Sequence, residues 1–368
     1  MRLLFVGLGN LGSQIFDLFA LRAKAGDQVL IAGRNLDYLR ERANWTASAA
    51  LQLSTSIKVA TTFMDVLNID QTAQTISSFK PDMIFSSVSL LPSASISQLP
   101  PPLFDKLVKA NGGPWLPTTL APVHKLMRAV QQTGLKTIVL NGGTPDNSHE
   151  VLQKIGLAPA SGFGNIALVI PPLKKAIAEY IQRPLEQIEI LFFAHAYVVQ
   201  SLRRGTVGGA PFHITISVNG EDVTAQLDLP SLFSDLPLTL EHEYTQLATA
   251  ASAVGLLDML TVGTPSVMHV PGPDGLPGGY PVRMSERGLE IVLPQGFTRE
   301  EAIRINQEGQ RLDGVERIDD DGTVHFVERN MAILKETLGY ECLSMTLAEV
   351  EERAKELHVR FLALASKS

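Results

Sequence analysis

The 368-residue chain has a single cysteine, Cys342. No internal disulfide can form from it, and a cysteine-based zinc site is excluded. No long run of lysine or arginine offsets the formal net charge of -7. With a pI near 5.7, that balance argues against nucleic acid or an anionic membrane as the main partner. No apolar stretch reads as membrane-spanning without interruption. The first core strand begins almost at residue 1, leaving no room for a signal peptide, so a soluble cytoplasmic protein is expected. Internal repeats and low-complexity runs are absent. Hydrophobic residues make up 45% and charged residues 19%, which argues against long disorder and allows two domains with substantial cores.

The most informative segment comes first. Leu3-Leu4-Phe5-Val6 runs into Gly7-Leu8-Gly9-Asn10-Leu11-Gly12 and then into Gln14–Phe19. The order is a buried strand, a G-x-G-x-x-G turn and an amphipathic helix. Gly7 permits a tight turn, Gly9 lets backbone approach a pyrophosphate, and Gly12 lets helix and strand pack closely. The helix N-terminus offers unpaired N–H groups and a positive dipole end to the phosphates. Gly7, Gly9, Asn10, Leu11 and Gly12 are therefore the expected cofactor contacts.

The alternation of strand and helix signals continues to about residue 150, the pattern of a parallel sheet with helices on both faces. Further strands are expected at Gln28–Ala32, Ile57–Ala60, Met83–Ser86 and Thr137–Leu140. Helices are expected at Leu36–Ala43, Gln71–Ser78, Leu103–Ala110 and Pro122–Gln132. Leu99–Leu103 and Asn111–Pro114 read as loop. Beyond 150 the pattern becomes α+β: a helix over Leu168–Ile181, a strand over Ile188–Phe193, and a hairpin of Phe212–Val218 with Val223–Leu227 around Asn219-Gly220. A long helix over Tyr244–Thr261 follows, and then a hairpin joining Val282–Met284 to Leu289–Val292. Thr298 with Glu301, and Thr346 with Glu349, have capping-box spacing. The fold class is α/β, a doubly wound parallel Rossmann sheet over 1–150, followed by an α+β substrate or dimerisation domain over 151–368.

The second strand ends Ala32-Gly33-Arg34-Asn35, without the acidic residue that accepts hydrogen bonds from the ribose of NAD. Arg34 would attract a 2′-phosphate that a carboxylate would repel. Asn35 either donates a further hydrogen bond or caps the next helix. Asp65 either frames the adenine or starts a helix. NADP is favoured over NAD.

Several later segments resemble the lactate/malate dehydrogenase family. They are Leu120–Val123 with Ile138–Asn141, Gly162–Asn165 before a helix, Phe193-Ala194-His195-Ala196 ending a strand, Gly279–Arg283 with Gly288–Glu290, and Thr298–Ala302. The likeness covers most of residues 1–312 and does not extend to the residues after it. It implies a two-domain dehydrogenase fold in which His195 stands where the family delivers its catalytic histidine. The departures are specific. Ser89–Leu103 contains neither the family's arginine nor a lysine, and Leu168 and Pro171 stand where the substrate helix would carry aspartate and arginine. Without those groups a 2-oxo acid has no bidentate clamp and a histidine no charged partner. An arginine after the second strand is also similar to saccharopine and opine reductases.

Among the residues themselves, His195 is the candidate proton donor, because imidazole titrates near neutral pH; the alternative is a histidine satisfied by backbone at a strand end. Asn141, opening Gly142-Gly143-Thr144-Pro145-Asp146, is the second catalytic candidate, able to hold a nicotinamide or a substrate oxygen. Asp146 reads as a general base or a helix cap, and Tyr197 as an alternative proton donor. Lys174, Lys175, Arg203 and Arg204 are the remaining cations, each more often a solvated charge. Glu241-His242-Glu243 does not converge on one helix face, so no metal site is expected. The function these readings support is an NAD(P)-dependent oxidoreductase acting on a small carbonyl, imine or hydroxy compound other than lactate or malate. The competing class is a nucleotide-binding or redox-sensing protein without turnover. The helix around Leu247–Leu257 is a subunit contact of a homodimer or part of the core.

Overall fold

The computed structural model describes residues 1–238, 242–263, 266–286 and 288–367. Its centre is a six-stranded sheet in the order β3-β2-β1-β4-β5-β6, with β1 Arg2–Val6, β2 Gln28–Gly33, β3 Lys58–Phe63, β4 Met83–Ser86, β5 Ile138–Asn141 and β6 Ser161–Gly162. Every pairing in it is parallel. The strand order reverses between β1 and β4, the switch point of a doubly wound fold. The sixth strand, only two residues long, lies beyond residue 150.

The near-continuous apolar strands follow from burial on both faces, and successive residues serve opposite faces. Leu4, Val6, Leu30, Ala32 and Ile84 enter one core. Leu3, Phe5, Val29, Ile31, Met83 and Phe85 enter another. The connecting helices are α1 Asn10–Ala20, α2 Leu36–Gln52, α3 Ile69–Phe79, the short α4 Ser93–Ser97, α5 Pro101–Val108, α6 Pro117–Thr133 and α7 Pro145–Gln153. Two expectations shift here. The helix read from Pro122 begins at Pro117 and carries Pro122 in its interior. The segment read as Pro-rich loop starts α5, with Pro101 and Pro102 in its first turn, where a missing N–H costs nothing.

The second half holds three antiparallel sheets of three strands each. After α8 Ile170–Ile181 come β7 Ile188–Phe193, α9 Ala196–Leu202, β8 His213–Val218, β9 Glu221–Asp222, α10 Leu229–Ser234 and α11 His242–Val262. Asn219 and Gly220 both take positive φ at the β8–β9 turn. The return strand expected at Val223–Leu227 stops at Asp222. The Asp222 carboxylate accepts from the Thr224 N–H at 2.8 Å and the Thr224 hydroxyl at 2.6 Å, and these bonds turn the chain into a short 3-10 segment. Then follow β10 Met268–Pro271, β11 Gly279–Ser285, β12 Gly288–Ile291 and α12 Arg299–Asp313, whose Thr298–Glu301 capping box is complete. The chain closes with β13 Val315–Ile318, β14 Val324–Phe326, α13 Glu328–Leu338, β15 Ser344–Met345 and α14 Val350–Ala365. Thr346 does bond the Glu349 carboxylate, but α14 starts after Glu349 rather than after Thr346.

Contrary to the sequence reading, one stretch, Thr245–Val262, is long and apolar enough to cross a membrane by length and composition. Here it packs on α1, burying Ala250, Ala253, Val254, Leu256, Leu257 and Met259. The C-terminal elements do not extend the second half. Val324, Leu334, Leu357 and Phe361 join Leu120, Leu126 and Val130 of α6 in one core.

Candidate nucleotide site and the buried network beside it

The glycines of the first turn divide by the space around them. Gly7 takes φ +80°, and a Cβ on it would lie 2.7 Å from Val88 Cγ2. A Cβ on Gly12 would lie 2.4 Å from the Gly7 carbonyl oxygen and 2.7 Å from Ser87 Oγ, whereas one on Gly9 would meet nothing within 4 Å. Two glycines are therefore fixed by packing, and the middle one faces open space. Gly9 is the N-cap of α1 and gives it no side-chain cap, and the first turn holds no acidic residue. Free N–H groups, a helix dipole and a backbone with no Cβ in the way fit a pyrophosphate. Asn10 is exposed and Leu11 half-buried beside this turn.

At the adenosine end, Arg34 is exposed and makes no hydrogen bond or ion pair to the described residues. Asn35 caps α2: its Oδ1 accepts from the Tyr38 N–H at 3.1 Å. Asp65 serves its own turn, accepting from the Leu67 N–H at 3.1 Å, while its own N–H donates to Gln71 Oε1 at 3.0 Å. Asn35 is thus a helix cap, whereas Asp65 lies in the turn before α3, whose N-cap is Asn68.

The catalytic candidates sit deeper than the sequence reading placed them. Asn141 is fully buried. Its Oδ1 accepts from the Gly143 N–H at 3.0 Å, its Nδ2 donates to the Gly143 carbonyl at 3.2 Å, and the same nitrogen lies 3.1 Å from His149 Nε2. It shapes the Gly142-Gly143 loop and turns no free polar atom outward.

His195 is also fully buried. Its Nδ1 accepts from the Tyr197 N–H at 3.2 Å, capping α9, so the ring proton belongs on Nε2. Nε2 then donates to Asn147 Oδ1 at 3.1 Å, and Asn147 Nδ2 donates to Asp313 Oδ2 at 3.1 Å. Asp313 Oδ1 accepts from the Gly112 N–H at 2.9 Å. Burial lowers the imidazole pKa to about 3. In this structure the neutral ring has both nitrogens engaged and serves as a cap and a strut.

The reason lies on α12. Gly309 faces His195 so closely that a Cβ there would stand 2.5 Å from the histidine Cβ. The helix lies directly over the ring.

Around this chain of bonds, α7 buries Asp146, Asn147, Ser148, His149 and Glu150 in succession. Asp146 accepts from the Ala196 N–H at 3.0 Å and from the Asn165 amide; burial raises its pKa to about 6 despite those bonds. Burial likewise raises Asp313 to about 7, against the bonds from Gly112 and Asn147 and with a contribution from nearby Asp146. Glu150 is raised by burial while bonded to Gln310 and Gln307. Gly309, Gln310 and Asp313 were not singled out from the sequence, where they read as ordinary helix residues, and Asn147 and Asn165 stood out only as members of the Asn141 loop and the Gly162 turn.

The remaining candidates are placed as follows. The Tyr197 hydroxyl donates to the Gly208 carbonyl at 3.2 Å. Lys175 lies 3.8 Å from Glu179, and Arg203 bonds Gln200 at 3.3 Å. Pro171 is exposed in the first turn of α8, and Leu168 ends the 3-10 turn before it. Glu241 and the side chains of His242 and Glu243 lie outside the described residues. Among the described residues, no three His, Cys, Asp or Glu side chains gather to hold a metal.

No protein-family model matches the chain, and no curated protein matches it. Solved structures do. Malate dehydrogenase from Aeropyrum pernix aligns with a TM-score of 0.57 at 13% identity, covering 84% of this chain and 96% of its own. Malate dehydrogenase from Plasmodium falciparum aligns at 0.53 and 11% identity over 98% of this chain and 99% of its own. Lactate dehydrogenase from Cryptosporidium parvum, complexed with lactic acid and nicotinamide adenine dinucleotide, aligns at 0.52 and 15% identity over 85% and 98%. Sheet order, second-half layout and these alignments agree that the chain has the fold of the lactate and malate dehydrogenases.

Proposed function

We propose that this protein is an NAD(P)-dependent oxidoreductase acting on a small carbonyl, imine or hydroxy compound other than lactate or malate. The observation that carries the reading is the room at Gly9 between two crowded glycines, at the uncapped N-terminus of α1. The Cryptosporidium structure of the same fold holds nicotinamide adenine dinucleotide. The nicotinamide would supply or accept the hydride, and the protein would bind and orient both reactants. The absence of lysine and arginine from 89–103, with Leu168 and Pro171 at the start of the α8 region, argues for a substrate that needs no carboxylate clamp. The proposed functional division near residue 150 is kept for nucleotide and substrate, with β6 and the residues after 314 counted with the first half, and the crevice between the sheet edge and the second half.

NADP is the preferred cofactor in this reading, because Arg34 stands exposed and unpaired at the end of β2. The test is a fluorescence titration with NADPH and NADH at fixed salt. NADPH is expected to bind more tightly, and Arg34→Ala should erase the difference, a charge-assisted bond of ~1.5–3 kcal/mol. Equal binding of both nucleotides would remove the preference; binding of neither would remove the oxidoreductase reading. The engaged, neutral His195 favours a second reading, nucleotide binding without turnover. Failure of a purified, NADPH-binding protein to oxidise it with any aldehyde, ketone or imine of a broad panel would favour that alternative.

A further inference from the structure

The edge of the sheet beyond the glycine turn carries a polar feature that neither packing nor helix capping explains. Val88 connects the two regions: its side chain stands against Gly7, and its carbonyl oxygen would lie 3.6 Å from a Cβ on Gly143. On the far side of Gly143 are the hydroxyls of Thr119 and Thr144, hydrogen-bonded to each other. A Cβ on Gly143 would stand 3.3 Å from Thr119 Cβ, so this glycine lets the two loops close up. Both threonines are half-buried and can meet a ligand. A dinucleotide whose pyrophosphate sits at α1 crosses the switch point, and its other half then lies over the ends of β4 and β5, where this pair stands.

Thr144 is in an unusual state. Its φ of +43° and ψ of +54° are left-handed, a conformation that a β-branched side chain rarely adopts. It occupies the N-cap position of α7 yet makes no side-chain cap bond. Glycine would fit that backbone without strain and serine would cap better, so a hydroxyl turned aside towards Thr119 points to another use.

The bond directions say which. Thr119 Oγ1 has a backbone acceptor, the Leu116 carbonyl at 3.2 Å. With its one proton placed there, the proton between the two threonines comes from Thr144. Thr144 Oγ1 is then left with lone pairs and no further donor among the described residues, so it presents an acceptor to the crevice.

We propose that Thr144, held by Thr119, accepts a hydrogen bond from the carboxamide N–H of a bound nicotinamide and so sets the orientation of the ring. This rests on the nucleotide reading above, and the test separates the two. Calorimetric titrations would use the nicotinamide nucleotide that the wild-type protein binds, and the matching ADP-ribose, which carries the 2′-phosphate if the nucleotide is NADPH. Thr144→Val is expected to weaken the nicotinamide nucleotide about fivefold or more, the loss of one hydrogen bond, and to leave ADP-ribose within twofold. Thr119→Val should act in the same direction by freeing the Thr144 hydroxyl to turn. Thr144→Ser, which keeps the oxygen, should restore binding. Thr144→Gly relieves the backbone and should fold at least as well, yet lose the same affinity as Thr144→Val.

Equal weakening of both ligands, or of neither, would overturn the placement while leaving the nucleotide site intact. Wild-type protein that bound neither ligand would overturn both.

Discussion

At the scale of single residues, His195 sits at the strand end where it was expected, but fully buried. The strand–histidine–helix order is legible, because an apolar run ending in His before Ala-Tyr marks a strand end. Burial is not legible, because the group over the ring is Gly309, far away in sequence, and a glycine announces nothing by its own pattern. Once α12 covers it, the imidazole stays neutral, caps α9 and ties it through Asn147 to Asp313. Replacing it tests this directly. His195→Ala would leave Asn147 Oδ1 without its donor, remove the cap on the Tyr197 N–H and open a cavity. A loss of about 2–4 kcal/mol is expected in urea unfolding, with nucleotide affinity unchanged within twofold. Wild-type stability with abolished turnover would restore the histidine to the catalytic role that its sequence context suggests. Asn35 and Asp65 each had a structural and a ligand reading, and each makes a hydrogen bond to its own turn.

At the scale of elements, the sheet was legible where the rule was simple. Strands buried on both faces read as apolar runs, and β1, β2, β4 and β5 were found within a residue or two of their ends. β6 was missed because two residues carry no period. The β9 return was misread because the Asp222–Thr224 turn competes with the ladder. The harder case is the pair α7 and α12. Both are polar in composition, so each reads as a surface helix, yet they bury their polar faces against each other and the loops around them. Gln310 and Asp313 of α12 are buried opposite Glu150 and Asn147 of α7, and Asn306 is buried against Gly279. Such a face is stable only when nearly every group is paired, and it depends on α12 holding its place over the end of β7. Gly309→Ala disturbs that place: the added methyl meets His195 Cβ at 2.5 Å on a rigid strand end. Overpacking of this kind should cost about 1–3 kcal/mol, read as a lower midpoint in urea. A double variant with His195→Gly, which removes the clashing Cβ, should recover part of it, because the two changes share one space. Additive losses would place the strain elsewhere.

At the scale of the whole molecule, the sequence showed two halves but not how the chain closes, since apolar residues after 314 do not reveal which half they join. They return to the first half and complete its core with α6. Between the halves the molecule buries many titratable groups, and their balance sets its response to pH. Burial lowers His195 and His269 to about 3, and His149 and the half-buried His124 to about 4. As pH falls below about 6.5, the unfolded chain protonates these four histidines and the native one does not, so stability falls. Asp146 at about 6, Asp313 at about 7 and the raised Glu150 act oppositely. The native state keeps their protons where the unfolded chain has lost them, so their contribution falls as pH rises from about 4 through those values. The four histidines outnumber the carboxyls that oppose them, so between about pH 4.5 and 6 the unfolded chain binds more protons and stability falls as pH falls. At pH 6.5 the four unfolded histidines are still half protonated and together bind more protons than the native Asp313 and Asp146 keep. Thermal unfolding should therefore show an acid limb, with Tm several degrees lower at pH 4.5 and levelling off above about pH 7. In Asp313→Asn, which removes one opposing carboxyl, the acid limb should steepen. An acid limb missing from both proteins would mean that the four histidines bind protons in the folded chain, and the neutral, covered His195 would have to be given up with them.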